Sequence, residues 1–235
     1  MRVITVARAM WNALRSPEQL KDATTEVATA MFAVAILVVS AASTVAALIE
    51  EGNPALVAQT NALTYSSSKP PAGGQPGVDL SLPQRQITGV LGGALLVTIV
   101  STIALAGVFW VLVRFMTDAP VTYGMALTTV SATALIGVID IALSVVLHTT
   151  TSTLRAGLHL GVLVDPIEHP SMFSWLQRLS IVSLWQYLVI GIGLCTWGGL
   201  HRRFGVVTGS IVWAVVGLVM GGIALVTWVV NLAAP

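Results

Sequence analysis

Charge is what this sequence has least of. Of 235 residues only 9% are Asp, Glu, Lys or Arg, while 55% are hydrophobic; soluble domains carry about a quarter charged residues. Too few polar side chains remain to cover a water-exposed surface, so a soluble globule is excluded. The net charge is +1 and no basic cluster exceeds the pair Arg202 and Arg203. No field is available to hold a polyanion, which excludes nucleic acid as a partner. Cysteine is almost absent. The single Cys195 forms no intramolecular disulfide and, inside an apolar run, reads as a small core side chain.

Catalytic motifs are missing as well. There is no Gly-x-Ser-x-Gly, no His-Glu-x-x-His, no P-loop and no Gly-x-Gly-x-x-Gly after a strand, so nothing supports an enzyme and no cofactor is expected. His148, His159, Asp165, Glu168 and His169 are donor types a metal uses, but their spacing matches no ligand pattern; they read as loop-surface residues and no metal site is expected. His201 with Arg202 and Arg203 reads as a topology-setting charged turn.

What is present is long apolar runs. A bilayer core about 30 Å thick needs about 20 apolar residues in a helix, and five stretches qualify: Val27 to Ile49, Ile87 to Val113, Val121 to Leu147, Leu179 to Leu200, and Gly205 to Val230. Lipid satisfies no bare backbone amide, and the runs lack strict alternation, so they are expected as helices and not as a barrel. The expected fold is all-α: residues 27–235 form a five-span helical bundle with external loops at 50–86 and 148–178. The first run is too long, and starts too far from the N-terminus, for a cleaved signal. With the N-terminus in the cytoplasm, the inner side holds Arg2, Arg8, Arg15, Lys21, Arg114, Arg202 and Arg203, and the outer side Lys69, Arg85, Arg155 and Arg178. The excess of basic residues on the inner side favours N-in, C-out. Tyr65 to Gly77, "YSSSKPPAGGQPG", has the composition of a solvated loop.

Residues 1–26 form a cytoplasmic arm. Thr5, Arg8, Asn12, Arg15 and Gln19 recur every three or four positions, opposite Val3, Val6, Met10 and Leu14, with Trp11 flanking: an amphipathic helix. Ser16, Pro17 and Gln19 fit the start of a second helix. Such an arm either lies in the membrane interface, with Trp11 as anchor, or packs on its own protein.

Asp140 is the only ionisable side chain well inside a span. An intramembrane carboxylate is costly and raises two readings, a proton or cation site or a hydrogen-bonded structural group. Glycines recur four apart at Gly89 and Gly93, Gly205 and Gly209, and Gly217 and Gly221, the spacing that lets helices approach closely in a bundle or an oligomer. In Ser171 to Leu194, "SMFSWLQRLSIVSLWQYLVIGIGL", the polar residues recur every third position and wind around a helix. The stretch reads as an interfacial entrance with Phe173, Trp175 and Arg178 at headgroup level. It then dives as the fourth span, where Ser183, Gln186 and Tyr187 hydrogen-bond to neighbours such as Asp140.

"LRSPEQL", "VTYGMALTTVSATALIG" and "FSWLQRLSIVSLWQYLVIGIGL", followed by "FGVVTGSIVWAV", resemble the bacterial branch of the Yip family, the Ypt/Rab-interacting membrane proteins. Phe173, Trp175, Gly193 and Trp213 stand at the positions that carry the resemblance. It implies a five-span integral membrane protein with a cytoplasmic N-terminus, in the bacterial inner membrane. In the eukaryotic members the family organises membrane traffic and does not catalyse. Absent catalytic motifs, a single intramembrane charge and small-residue packing ridges lead to the expectation of a membrane-organising scaffold or accessory subunit; the partners expected are membrane lipids and other membrane subunits or further copies of the chain. Where the eukaryotic branch carries an Asp-Leu-Tyr-Gly-Pro type motif, this chain has "GVDLSLPQRQ". The competing expectation is a transporter or permease component with Asp140 coupling to a proton or cation.

Overall fold

The structure, a computed structural model, describes residues 3–15, 25–65, 87–166 and 168–233. The helix expected at Ser16 and most of the Pro- and Gly-rich loop after Tyr65 lie outside the described residues, as do Arg2, Lys21, Lys69 and Arg85.

The described residues are all-α: α1 (Val3–Arg15), α2 (Thr25–Glu51), α3 (Pro54–Tyr65), α4 (Ile87–Met116), α5 (Tyr123–Ala132), α6 (Ala134–Thr151), α7 (Pro170–Gln177), α8 (Ile181–Trp197) and α9 (Arg202–Ala233). Four stretches, Glu26–Glu51, Gly89–Met116, Tyr123–Thr151 and Arg202–Val219, are long and apolar enough to cross a membrane, which marks the chain as a membrane protein. Their outward side chains suit lipid: Leu37, Val97, Val111, Phe115 and Leu218 are exposed, and in water so much apolar surface would drive aggregation.

The third stretch is broken in its middle. Thr128, Thr129, Ser131 and Thr133 are all buried. Their hydroxyls donate to Gly124 O, Met125 O, Leu127 O and Val130 O, at 2.7–2.8 Å. Back-bonding of this kind competes with the helix ladder and bends helices. At Thr133 the N–H is shared between Thr129 O and Val130 O, and α5 gives way to α6.

The fourth expected span is shorter than the sequence indicates. Leu179 and Ser180 lie between two helices, and α8 keeps only 17 residues, about 25 Å by the helical rise. The interruption comes from a reciprocal cap. The Ser180 hydroxyl accepts the Ser183 N–H at 2.8 Å, and the Ser183 hydroxyl accepts the Ser180 N–H at 3.2 Å, which satisfies two of the donors orphaned at a helix start. The neighbouring loop completes the junction. Leu160 N–H donates to Leu179 O and Ile181 N–H to Leu158 O, which pairs the backbone groups of the connecting residues.

The principal core joins α4, α5, α8 and α9 through Phe109, Val113, Val130, Ile190, Leu194 and Val212. α8 and α9 form the tightest pair, an antiparallel hairpin turned by Gly199 at φ +77°. A second cluster packs Val6 and Met10 of α1 on Met31, Ala35 and Ala132. The arm thus turns its apolar stripe onto its own bundle, while Thr5, Arg8, Trp11 and Asn12 are exposed. The expected external loops are structured in part. α3, a 3₁₀ turn at Leu160–Leu163 and α7 form a cap over one end of the bundle, built on Leu56, Leu154, Val164, Phe173 and Leu176. Gln59 ties it together, donating to Ser152 O and accepting the Leu154 N–H.

Candidate functional site

Polar residues in an apolar bundle show where chemistry is available, because lipid offers them no partner. Two such places stand out, one at mid-bundle and one under the cap.

The first is a cavity of about 220 Å³ between α2, α4, α5, α6 and α8. Val39, Thr102 and Gly137 on its wall lie near the midpoints of three long helical stretches, so it sits at mid-depth. Its polar lining is Thr98, Ser101, Thr102, Ser131 and Gln186, without an ionisable side chain. Ser101 and Ser131 donate to carbonyls of their own helices. The Thr98 and Thr102 hydroxyls and the Gln186 amide make no hydrogen bond among the described residues. The Gln186 carbonyl oxygen reaches over Gly137, where a Cβ would stand 3.9 Å from it. Of these residues sequence reading singled out only Gln186. The signal for the others was Thr98 and Thr102 four apart on one helix face in an otherwise apolar run.

One turn along α6 from Gly137 is Asp140, half-buried, with the Ser180 hydroxyl as a polar partner. It does not line the cavity. Beyond it, towards the cap, His148 Nδ1 and Glu50 Oε1 pair at 2.7 Å across the ends of α6 and α2. His159 is bridged to Ser180 through the backbone, and its ring stands edge-on to Phe173 with centroids 6.0 Å apart. Burial, reinforced by the charge of His148, holds the His159 imidazole below the usual histidine range. Among the described residues no group of three or more His, Cys, Asp or Glu is arranged to hold a metal. The reading of His148 and His159 as loop-surface residues is corrected: they are only 4% and 7% exposed, because the cap folds over them.

The remaining residues expected at the site divide. Ser183 serves the α8 cap and accepts the Trp213 indole N–H at 3.2 Å. Tyr187 packs on Phe109, ring centroids 5.9 Å apart. Phe173, expected at headgroup level, is fully buried in the cap core, since Leu56, Leu154 and Val164 of the cap pack over it. Trp175 likewise turns inward, donating its indole N–H to Gly217 O at 2.7 Å. Arg178 and Trp11 are exposed.

The glycines divide as well. Gly205 and Gly209 lie against the backbone of Tyr187, Leu188, Gly191 and Ile192, so α8 and α9 meet main chain to main chain. Gly191, not among the expected packing residues, is the third member of that contact. Gly217 faces Leu179 and Gly221 faces Trp175. Gly89 and Gly93, with Gly92, have open space where a Cβ would go.

Comparison with protein-family models, with curated proteins and with solved structures gives no match.

Proposed function

We propose that this chain is a non-enzymatic, Yip-like integral membrane protein of five spans that works by contact, as a membrane-organising scaffold or an accessory subunit of a larger membrane complex. The carrying observation is the contrast between its glycine faces. Gly205, Gly209, Gly217 and Gly221 of α9 are filled by α8, Leu179 and Trp175, whereas Gly89, Gly92 and Gly93 on α4, like Gly222 on α9, face open space among the described residues; the α4 group forms a surface on which another helix approaches closely. In this reading α8 is the fourth crossing, at the 17-residue lower end of what spans a bilayer. The N-terminus is cytoplasmic, the C-terminus external, the membrane the bacterial inner membrane, and α1 packs on the bundle with Arg8 and Trp11 on its outward side. Pull-down from native membranes with mass spectrometry tests it. Stoichiometric partners or further copies, lost in a Gly89→Leu/Gly93→Leu variant, support the reading; a lone monomer without partner or lipid effect counts against it.

The second reading, a transporter component with Asp140 coupling to a proton or cation, has one observation in its favour: a mid-depth cavity one turn from Asp140. The uncharged lining of that cavity favours the first. Ion-coupled uptake into proteoliposomes, abolished in Asp140→Asn, would reverse that preference.

A further inference from the structure

The mid-bundle cavity holds more unmet hydrogen-bonding capacity than a packing defect explains. Gln186 brings two donors and an acceptor oxygen, and Thr98 and Thr102 bring a hydroxyl each. None of these groups has a partner among the described residues, although Thr98 is only 8% exposed. Threonines in helices commonly donate to a carbonyl three or four residues back, as Thr128, Thr129 and Thr196 do here. Thr98 and Thr102, four apart and so on one face of α4, forgo that bond while lining the space that Gln186 enters from α8. Polar groups left without partners in an apolar medium are unfavourable, so three around one cavity specify a polar occupant.

Size and charge narrow its chemistry. A cavity of 150 Å³ takes a benzene ring, and this one is about 220 Å³, room for one substituted six-membered ring. Its wall carries no ionisable side chain, and an ion without a counter-charge is strongly disfavoured at such a depth. Val39 and Leu105 supply apolar contact beside the polar groups. We propose that this cavity is a binding site for a small neutral ring molecule, or the ring headgroup of a lipid, that both donates and accepts hydrogen bonds, oriented by the Gln186 amide and the Thr98 and Thr102 hydroxyls. The site is independent of the scaffold reading.

The full chain in lipid nanodiscs, titrated with 4-fluorobenzamide and followed by ¹⁹F NMR, tests it. Saturable binding above protein-free nanodiscs is expected, with 4-fluorotoluene, which lacks the amide, binding much more weakly. Gln186→Met, close in volume, weakens 4-fluorobenzamide about tenfold. The double variant Thr98→Val/Thr102→Val keeps volume, disturbs no hydrogen bond among the described residues, and weakens binding several-fold; it keeps the test decisive if the Gln186 variant fails to fold. A decyl chain added to the probe separates the sources: tighter binding beyond its extra partitioning into protein-free nanodiscs indicates a lipid headgroup, and unchanged or weaker binding a free solute. Absence of saturable binding, equal binding of 4-fluorotoluene, or affinity unchanged in both variants would overturn the proposal.

Discussion

Neither ring nitrogen of His159 has a hydrogen-bond partner among the described residues, and that gives the cap a pH dependence. Burial is the larger cause that lowers its pKa, and His148, itself paired with Glu50, adds to it. The folded state therefore favours neutral imidazole, while the unfolded chain takes up its proton near the ordinary value of about 6.5. Between the lowered folded value and about 6.5 the unfolded state binds more protons, so stability is complete above that window and is lost as pH falls through it. Thermal unfolding of the detergent-solubilised protein from pH 8 to pH 5 is expected to show this acid-side loss, and His159→Leu to reduce it; an unchanged pH profile in the variant would assign the loss to other groups. Trp175 offers a simpler case. Trp175→Phe keeps a ring beside Gly221 but deletes the bond to Gly217 O, and is expected to cost about 1 kcal/mol in denaturation midpoint measurements.

Among the helices, α8 and α9 show why glycine spacing is half a message. A Cβ at Gly205 or Gly209 would overlap main-chain atoms of α8, and backbone cannot move aside as a flexible side chain does. Gly209→Leu is expected to lower the thermal midpoint sharply, by overpacking of at least about 1–3 kcal/mol. Gly92→Leu, with open space around it, is expected to leave the midpoint of the isolated protein nearly unchanged. Equal effects of the two substitutions would disprove the assignment. Gly205 and Gly209 have the same spacing in sequence as Gly89 and Gly93, which flank Gly92; only the packing partner tells them apart. Similarly, Ser180 and Ser183 read as two polar positions on one long helix, yet their side chains cap the start of a shorter one. Ser180→Ala removes an N-cap, expected at about 1 kcal/mol in equilibrium unfolding, and it also takes the hydroxyl from Asp140.

For the molecule as a whole, the proposed five crossings place the two chain ends on opposite sides of the membrane. With Cys195 replaced by Ala, single cysteines at Arg8 and at Thr153 are expected to react with a membrane-impermeant maleimide from opposite faces in oriented vesicles. Labelling of both from one face would reject the topology. The second, third and fifth expected spans fell within a few residues of helices long enough to cross, and so did the first, because in lipid a long apolar run has no alternative to a helix that satisfies its own backbone. Length and composition therefore settled by themselves that this is an all-α membrane protein and where four of its long helical stretches run, one of them broken at Thr133. The tertiary structure alone decided what each polar group faces. Glu50 meets His148 across 98 residues, Trp175 meets Gly217 across 42, and Gln186 enters a cavity walled by four other helices. Helical periodicity sets the direction in which a side chain points, but the neighbour it finds there belongs to a segment far away in the chain.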